Sequence, residues 1–331
     1  MNDKNVSVIT TIKNEREGLK AFIKSIFAQT FKPYEVIVVD GGSTDGSIDI
    51  LKTLSKKYKN LRFFVENGLN ISEGRNFAIE KSVCSIVASV DGGATLQSTW
   101  LENLVNPLLK DDSIDVVSGF FIPQVKNTFE KYLAAVTIPI EEELQDEKFL
   151  PSSRSIAFKK ICWSSVGGYP TWLPICEDLI FDIKMKNKGY KFVVAPKALS
   201  SWRPRKNIKN FFIQYFKYSK GDGHARLFLI RHLIRYTTYI TSTLLIFASF
   251  YLNILWLVPL FFGGIIYTLK YYNRFFRHFK SQNIFISIGA YFAIPLLLFV
   301  GDVAKMVGYP VGVWERISGK IKFEEYRRRV S

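Results

Sequence analysis

Up to Phe121, short apolar runs rich in β-branched residues alternate with stretches whose apolar positions fall at helical spacing, and this alternation restricts the chain to an α/β architecture. Val6–Ile12 (VSVITTI) reads as a strand, and residues 14–17 (NERE) open a helix carrying Leu19, Phe22, Ile23, Ile26 and Phe27 on one face. Residues 34–39 (YEVIVV) form a second strand, followed by Asp40, a glycine-rich turn to Gly46 and a helix to about Tyr58. Further strands are expected at Leu61–Val65, 85–90 and 116–121, with helices at 72–82 and 99–109. Such spacing predicts a mainly parallel sheet covered by helices on both faces, with ligands gathered at the carboxyl ends of the strands.

Two acids stand at such ends. Asp40 follows the second strand, and Asp91 follows the fourth, in CSIVASVDGG, with Gly92 and Gly93 letting backbone pack closely against a ligand. Read alone, Asp91 is equally the start of an ordinary Asp-Gly turn, and Asp40 the cap of its own turn at Ser43 and Thr44. The first strand-to-helix turn lacks a Gly-x-Gly-x-x-Gly run, which weighs against a dinucleotide-binding dehydrogenase and leaves a mononucleotide crevice.

Beyond Gln124 the alternation loosens into an amphipathic segment and an acidic cluster (Glu141, Glu142, Glu143, Asp146, Glu147), which reads as a solvated face. Cys176-Glu177-Asp178 then opens a helical pattern that runs to Lys188 and closes at Gly189. A strand at 191–195 and the segment Ser201-Trp202-Arg203-Pro204-Arg205 follow.

Charge separates the two ends of the chain. Residues 1–200 carry a net +1, whereas residues 201–331 carry 20 Lys and Arg against 5 Asp and Glu, a net of +15. The same region holds long apolar runs at 236–269 and 284–300, so its positive charge is matched to anionic lipid headgroups and not to nucleic acid. Residues 208–218 have the pattern of a helix lying in the membrane interface. As one helix the run at 236–269 would span about 50 Å against a hydrocarbon core of about 30 Å, so two helices with a turn near Asn253 are expected. That returns the chain to the starting side, where Lys270, Arg274, Arg277 and Lys280 agree with the positive-inside rule. The third run either crosses, leaving Arg316, Lys320, Lys322 and residues 327–329 outside against that rule, or is broken at Pro295 and Gly301-Asp302 into a re-entrant or hairpin segment. Cys84, Cys162 and Cys176 lack metal-ligand spacing and no signal peptide precedes the first strand, so the globular part is expected in the cytosol.

Several separated motifs, VVDGGSTDGS, EGRNFAIE, SVDGG, SVGGYP and EDLIFDIKMKNKGYKFVVAP, occur in one order. Over about residues 5–225 the chain is similar to the family 2 glycosyltransferases, and within them to the membrane-anchored members that build surface polysaccharides or glycolipids. The resemblance implies the GT-A nucleotide-diphospho-sugar transferase fold over residues 1–205. Interfacial helices would follow at 206–235, a transmembrane region of two to three segments at 236–308, and a basic tail at 309–331. It implies inverting transfer from a nucleotide-sugar donor to a lipid-linked or glycan acceptor at the cytosolic face of a membrane, with membrane lipids as further partners and no nucleic acid. The alternatives are a nucleotidyltransferase and a non-catalytic, transferase-like partner subunit.

On this resemblance Asp178 is the catalytic base, with Glu177 assisting; two acids at a helix start also simply favour the helix dipole. Asp40, Arg75 and Asn76 are expected on the donor nucleotide, and Arg203 and Arg205 on a diphosphate, or else as lipid-facing charges. Asp91 matches the first acid of the Asp-x-Asp motif that holds Mg2+ or Mn2+, but Gly93 stands where the second acid belongs. Asp91 then holds the cation with phosphate oxygens and water, recruits a distant ligand such as Asp222 or His224, or bonds the ribose without metal.

Overall fold

The computed structural model describes residues 5–144, 149–280 and 282–321. Asp146 and Glu147 of the acidic cluster, and Lys322 and residues 327–329 of the basic tail, lie outside the described residues. In chain order the elements begin with β1 (Val6–Ile12), α1 (Arg16–Phe27), β2 (Glu35–Asp40), α2 (Ser47–Lys57), β3 (Leu61–Val65), α3 (Ile71–Lys81) and β4 (Ile86–Val90). They continue with β5 (Thr95–Leu96), α4 (Trp100–Lys110), β6 (Val116–Pro123), α5 (Thr128–Thr137), β7 (Ser155–Lys159), α6 (Lys160–Ser165), α7 (Glu177–Asn187) and β8 (Phe192–Trp202). Four helices close the chain: α8 (Ile208–His224), α9 (Leu229–Tyr251), α10 (Val258–His278) and α11 (Ile284–Ile317).

The chain divides into two compact units, Met1–Ile122 with Leu144–Trp202, and Pro123–Glu143 with Arg203–Phe323. The first is built on an eight-stranded sheet in the order β3-β2-β1-β4-β7-β6-β8-β5. β1 to β4 pair in parallel, as their alternation with helices requires. From β4 onward the ladders of β4 with β7, β7 with β6 and β5 with β8 run antiparallel. The sheet is therefore mixed, because no strand–helix–strand crossover joins those pairs in a common direction.

Period-two burial sorts the inner strands. Val36 and Val38 of β2 pack with Leu19, Phe22, Ile23 and Ile26 of α1 on one face, while Ile37 and Val39 join Ala78, Phe181 and Met185 on the other. Trp100, fully buried, donates its indole N–H to Ser155 Oγ at 2.8 Å, so this large ring is both packed and satisfied.

The second unit is helical, with α5 packed among α8, α10 and α11 through Leu133, Val136, Phe211, Phe275 and Ile294. α8 and α11 meet backbone to backbone: a Cβ on Gly308 would stand 2.3 Å from Phe216 O, and one on Gly312 2.0 Å from Lys220 O. Only glycine permits that approach, the small-residue contact of membrane helix pairs. α9 ends at Tyr251 and the next turn is capped by Asn253, whose Oδ1 accepts from Leu255 N, as the sequence led us to expect.

Of the two readings of the last apolar run, a crossing helix or a segment broken at Pro295 and Gly301-Asp302, the break is not there. α11 is one helix of 34 residues passing through Pro295 and Pro310. A helical proline lacks the N–H owed to the carbonyl four residues earlier. Here Tyr272 Oη donates to Tyr291 O and Tyr236 Oη to Met306 O, so both orphaned carbonyls are satisfied from neighbouring helices. Ile254–His278 and Ile284–Ile317 are long and apolar enough to cross a membrane.

Candidate active site

In the first unit, the carboxyl ends of β1, β2 and β4 and the start of α3 enclose a crevice of about 430 Å³, lined among others by Lys13, Glu15, Gly41, Asn70, Asp91 and Gly92. α3 begins in a capping box, Asn70 Oδ1 accepting from Glu73 N and Glu73 Oε2 from Asn70 N, which fixes the first turn and aims Arg75. Glycines bring the walls together: a Cβ on Gly92 would stand 2.7 Å from Ile12 Cγ2.

Asp40 is fully buried. Its Oδ1 accepts from Gly42 N at 2.9 Å and Ser43 N at 2.6 Å, so it does cap its turn, while its buried Oδ2 has no hydrogen-bond partner among the described residues. A buried acceptor left open in this way is a place for a ligand donor group.

Arg75 joins the remaining acids. It is 3% exposed, donates through Nη2 to Asp91 Oδ1 at 2.8 Å and through Nη1 to Glu177 Oε1 at 2.6 Å, and lies over the Tyr169 ring. The sequence motifs EGRN, SVDGG and CEDL thus meet at one guanidinium. Burial pushes the Glu177 carboxyl up and the neighbouring Asp178 adds to this, while Arg75 pulls it back down. Asp178, next to Glu177 at the start of α7, accepts from Leu179 N. Asn76 is engaged in holding the chain: its Oδ1 accepts from Trp163 Nε1 and Tyr169 N, and its Nδ2 donates to Tyr169 O.

Arg203 and Arg205 belong to the second unit. Arg203 grips both oxygens of the fully buried Glu130, with Nη2 to Oε1 at 2.6 Å, and Arg205 Nε donates to Gln214 Oε1 at 3.1 Å. Asp222 and His224 are engaged there as well, with His232 at 3.1 Å and Glu315 at 2.8 Å respectively.

Three residues escaped the sequence reading. Arg154 Nε lies 3.4 Å from Asp91 Oδ2, because the Val90–Ser155 register of the antiparallel β4–β7 pair sets the next residues opposite one another. Glu15 is half-buried in the crevice wall, and its carboxyl is pushed up by burial and by Asp45 and Asp91. Asp182, one turn beyond Asp178 on α7, is fully buried with neither oxygen partnered among the described residues.

The donor set fits a hard divalent cation only with outside help. Gly93 has φ of +78°, where a side-chain-bearing residue is strained, and the Cβ it lacks would stand 3.1 Å from Glu15 Oε2. A carboxylate from the β1–α1 turn therefore reaches the place of the missing acid. Among the described residues no three His, Cys, Asp or Glu side chains gather. Asp91 and Glu15 would be the protein's ligands, the rest of the shell coming from phosphate oxygens and water.

A mixed sheet with acids and a crevice at the carboxyl ends of its parallel strands fits a GT-A transferase unit. Residues 7–163 match Glycosyl transferase family 2, and this part of the chain is a family 2 glycosyltransferase domain. Glycosyltransferase AglE of Haloferax volcanii is 27% identical over 223 residues, which cover 66% of this chain and 72% of that protein. Cholesterol galactosyltransferase of Borreliella burgdorferi is 36% identical over 117 residues, 35% of this chain and 33% of that protein. Among solved structures, the mannosyltransferase PcManGT from Pyrobaculum calidifontis, in complex with GDP-Man and Mn2+, shares the fold with a TM-score of 0.63, 18% identity, and coverage of 91% of this chain and 87% of that one. The chain is a glycosyltransferase.

Proposed function

We propose that this glycosyltransferase moves a sugar, with inversion, from a nucleotide-diphospho-sugar to a glycan or lipid-linked acceptor at the cytosolic face of a membrane. The observation that carries the reading is Arg75, which links the strand-end acid Asp91 to the Glu177–Asp178 pair through two short ion pairs. One buried cation thereby ties the donor-side acid to the acids that serve the acceptor.

In the reaction the acceptor hydroxyl loses its proton to Asp178 as its oxygen attacks the anomeric carbon. The bond to the diphosphate breaks on the opposite face and the diphosphate leaves with the electron pair; no sugar–enzyme bond is needed. Glu177, held by Arg75, keeps the start of α7 in place and adds negative charge beside the base. The open Oδ2 of Asp40 accepts from the nucleotide, which the GDP-Man bound by the structural neighbour supports as a class of donor. Arg154 offers a second guanidinium beside Asp91 for phosphate oxygens. Mg2+ or Mn2+, held by Asp91 and Glu15, would neutralise charge on the leaving diphosphate.

Membrane anchoring rests on the two long apolar helices, α10 and α11. The basic residues that close α10, Arg274 and Arg277, support a cytosolic position for that end. A screen of UDP-, GDP- and dTDP-sugars by thermal shift, followed by mass spectrometry of the lipid or glycan product, tests this function. Stabilisation by at least one donor and a product heavier by one sugar are expected; no binding and no product across the panel would contradict it.

A further inference from the structure

Asp91 is held from two sides by guanidiniums that differ in kind. Arg75 is buried and reaches Oδ1 at 2.8 Å, whereas Arg154 is half-buried and its Nε stands 3.4 Å from Oδ2. A short ion pair shielded from solvent is costly to break, and a longer one in reach of water is not. Of the two, Arg154 is the one that can leave.

The backbone on either side of Arg154 is pinned. Ser153 O accepts from Ser89 Oγ at 3.0 Å, Ser153 Oγ shares a hydrogen bond with Tyr169 Oη at 2.8 Å, and Ser155 Oγ accepts from Trp100 Nε1. Ser153 and Ser155 are both fully buried. Movement at Arg154 is therefore confined to its own side-chain torsions.

A second surface supports the guanidinium. It lies over the Trp202 ring, 5.0 Å from the centroid. The β5–β8 ladder, in which Thr95 pairs with Ser201, sets that ring beside the turn that begins at Asp91. Attraction to an aromatic face comes from the ring quadrupole and uses none of the guanidinium N–H groups. Trp202 can thus carry Arg154 whether its N–H groups face Asp91 or another anion.

A divalent cation at Asp91 and Glu15 needs an open carboxylate oxygen, and Oδ2 is the one that Arg75 does not hold. With Arg154 against that oxygen, a doubly charged ion meets a positive group at its own ligand. A diphosphate changes the balance, because its oxygens accept from guanidinium N–H groups and ligate the cation at the same time.

We propose, on the reading of the crevice as the donor site, that Arg154 is a placeholder for the cation. It covers Asp91 Oδ2 until a donor diphosphate draws it away along the Trp202 face, and it thereby makes cation binding at Asp91 depend on the nucleotide. Arg154 acts through charge and position, and no bond to it is made or broken.

The test uses the full chain in detergent micelles, with free Mn2+ read by electron paramagnetic resonance. Without nucleotide, Arg154→Gln is expected to bind Mn2+ about fivefold or more tighter than the parent. The gain should vanish in Arg154→Gln/Asp91→Asn, and Arg154→Lys, which keeps the charge, should stay close to the parent. With Mn2+ saturating, Arg154→Gln is expected to bind UDP, GDP or dTDP, whichever the parent binds, about tenfold more weakly. A damaged fold cannot tighten one affinity while weakening the other. Mn2+ binding by Arg154→Gln no tighter than the parent's, or a gain that persists without Asp91 or appears equally in Arg154→Lys, would overturn the proposal. So would an undiminished nucleotide affinity. Failure of the parent to bind any of the three nucleotides counts against the donor reading, while the Mn2+ measurement, which contains no nucleotide, decides for or against Arg154 by itself.

Discussion

Arg75 and Glu177, 102 residues apart in sequence, meet at 2.6 Å through Nη1 and Oε1, and the other arm of the same guanidinium holds Asp91 at 2.8 Å. Both partners of the shorter contact are buried, so the pair is shielded from solvent and removal of one member leaves a charge without compensation. Arg75→Met is expected to cost about 3–5 kcal/mol in chemical denaturation, with Arg75→Met/Glu177→Gln recovering part of the loss in a double-mutant cycle. A cost below about 1 kcal/mol would show that the bridge does not organise the site.

Asp182 tests the electrostatics of α7 from below. Burial first, and then Asp178, hold its carboxyl well above the ordinary 3.8. The folded chain binds this proton more tightly than the unfolded chain, so the group's contribution to stability falls as pH rises from 3.8 through the folded value and is flat above it. Asp182→Asn removes that fall. It is expected to raise the unfolding temperature at neutral pH by about 2–4 °C, and to have little effect at the acid end.

Glu15 is expected to serve any bound cation. Its carboxylate lies where a side chain at position 93 would point. Glu15→Gln should weaken Mn2+ binding in the presence of nucleoside diphosphate by about tenfold or more, read by electron paramagnetic resonance of free Mn2+. An unchanged affinity would remove Glu15 from the ligand set.

The α8–α11 contact leaves no room for a methyl group. Gly312→Ala places a Cβ 2.0 Å from Lys220 O, so the helices must part. A loss of about 1–3 kcal/mol in thermal or denaturant unfolding is expected. Gly263→Ala, in open space, should be neutral or stabilising and serves as the control.

The parallel half of the first unit is legible in the chain because β-branched runs and helical spacing are local properties; β1 to β4 and α7 fall close to where they are read. The antiparallel half is not, since strand direction leaves no mark on a period-two pattern. Arg154 illustrates the consequence: it reaches Asp91 only through the β4–β7 register, and nothing in PSSRSIAFK signals that pairing. The sequence leaves the continuity of α11 open for a similar reason. Pro295 and Pro310 are breaks in one dimension, and the tyrosines that make them tolerable, Tyr272 and Tyr236, come from other helices. Asp40 is the opposite case, where both readings of a turn-forming acid hold, one oxygen capping the turn and the other left open.

The central claim, that α7 presents the base to an acceptor beside a donor held at Asp91, is tested most directly by Asp178→Asn. Donor binding by thermal shift or calorimetry should stay within about twofold of the parent, while sugar transfer falls by about 10²–10⁴-fold, the usual contribution of a general base. Transfer at the parental rate with unchanged donor affinity would contradict the account.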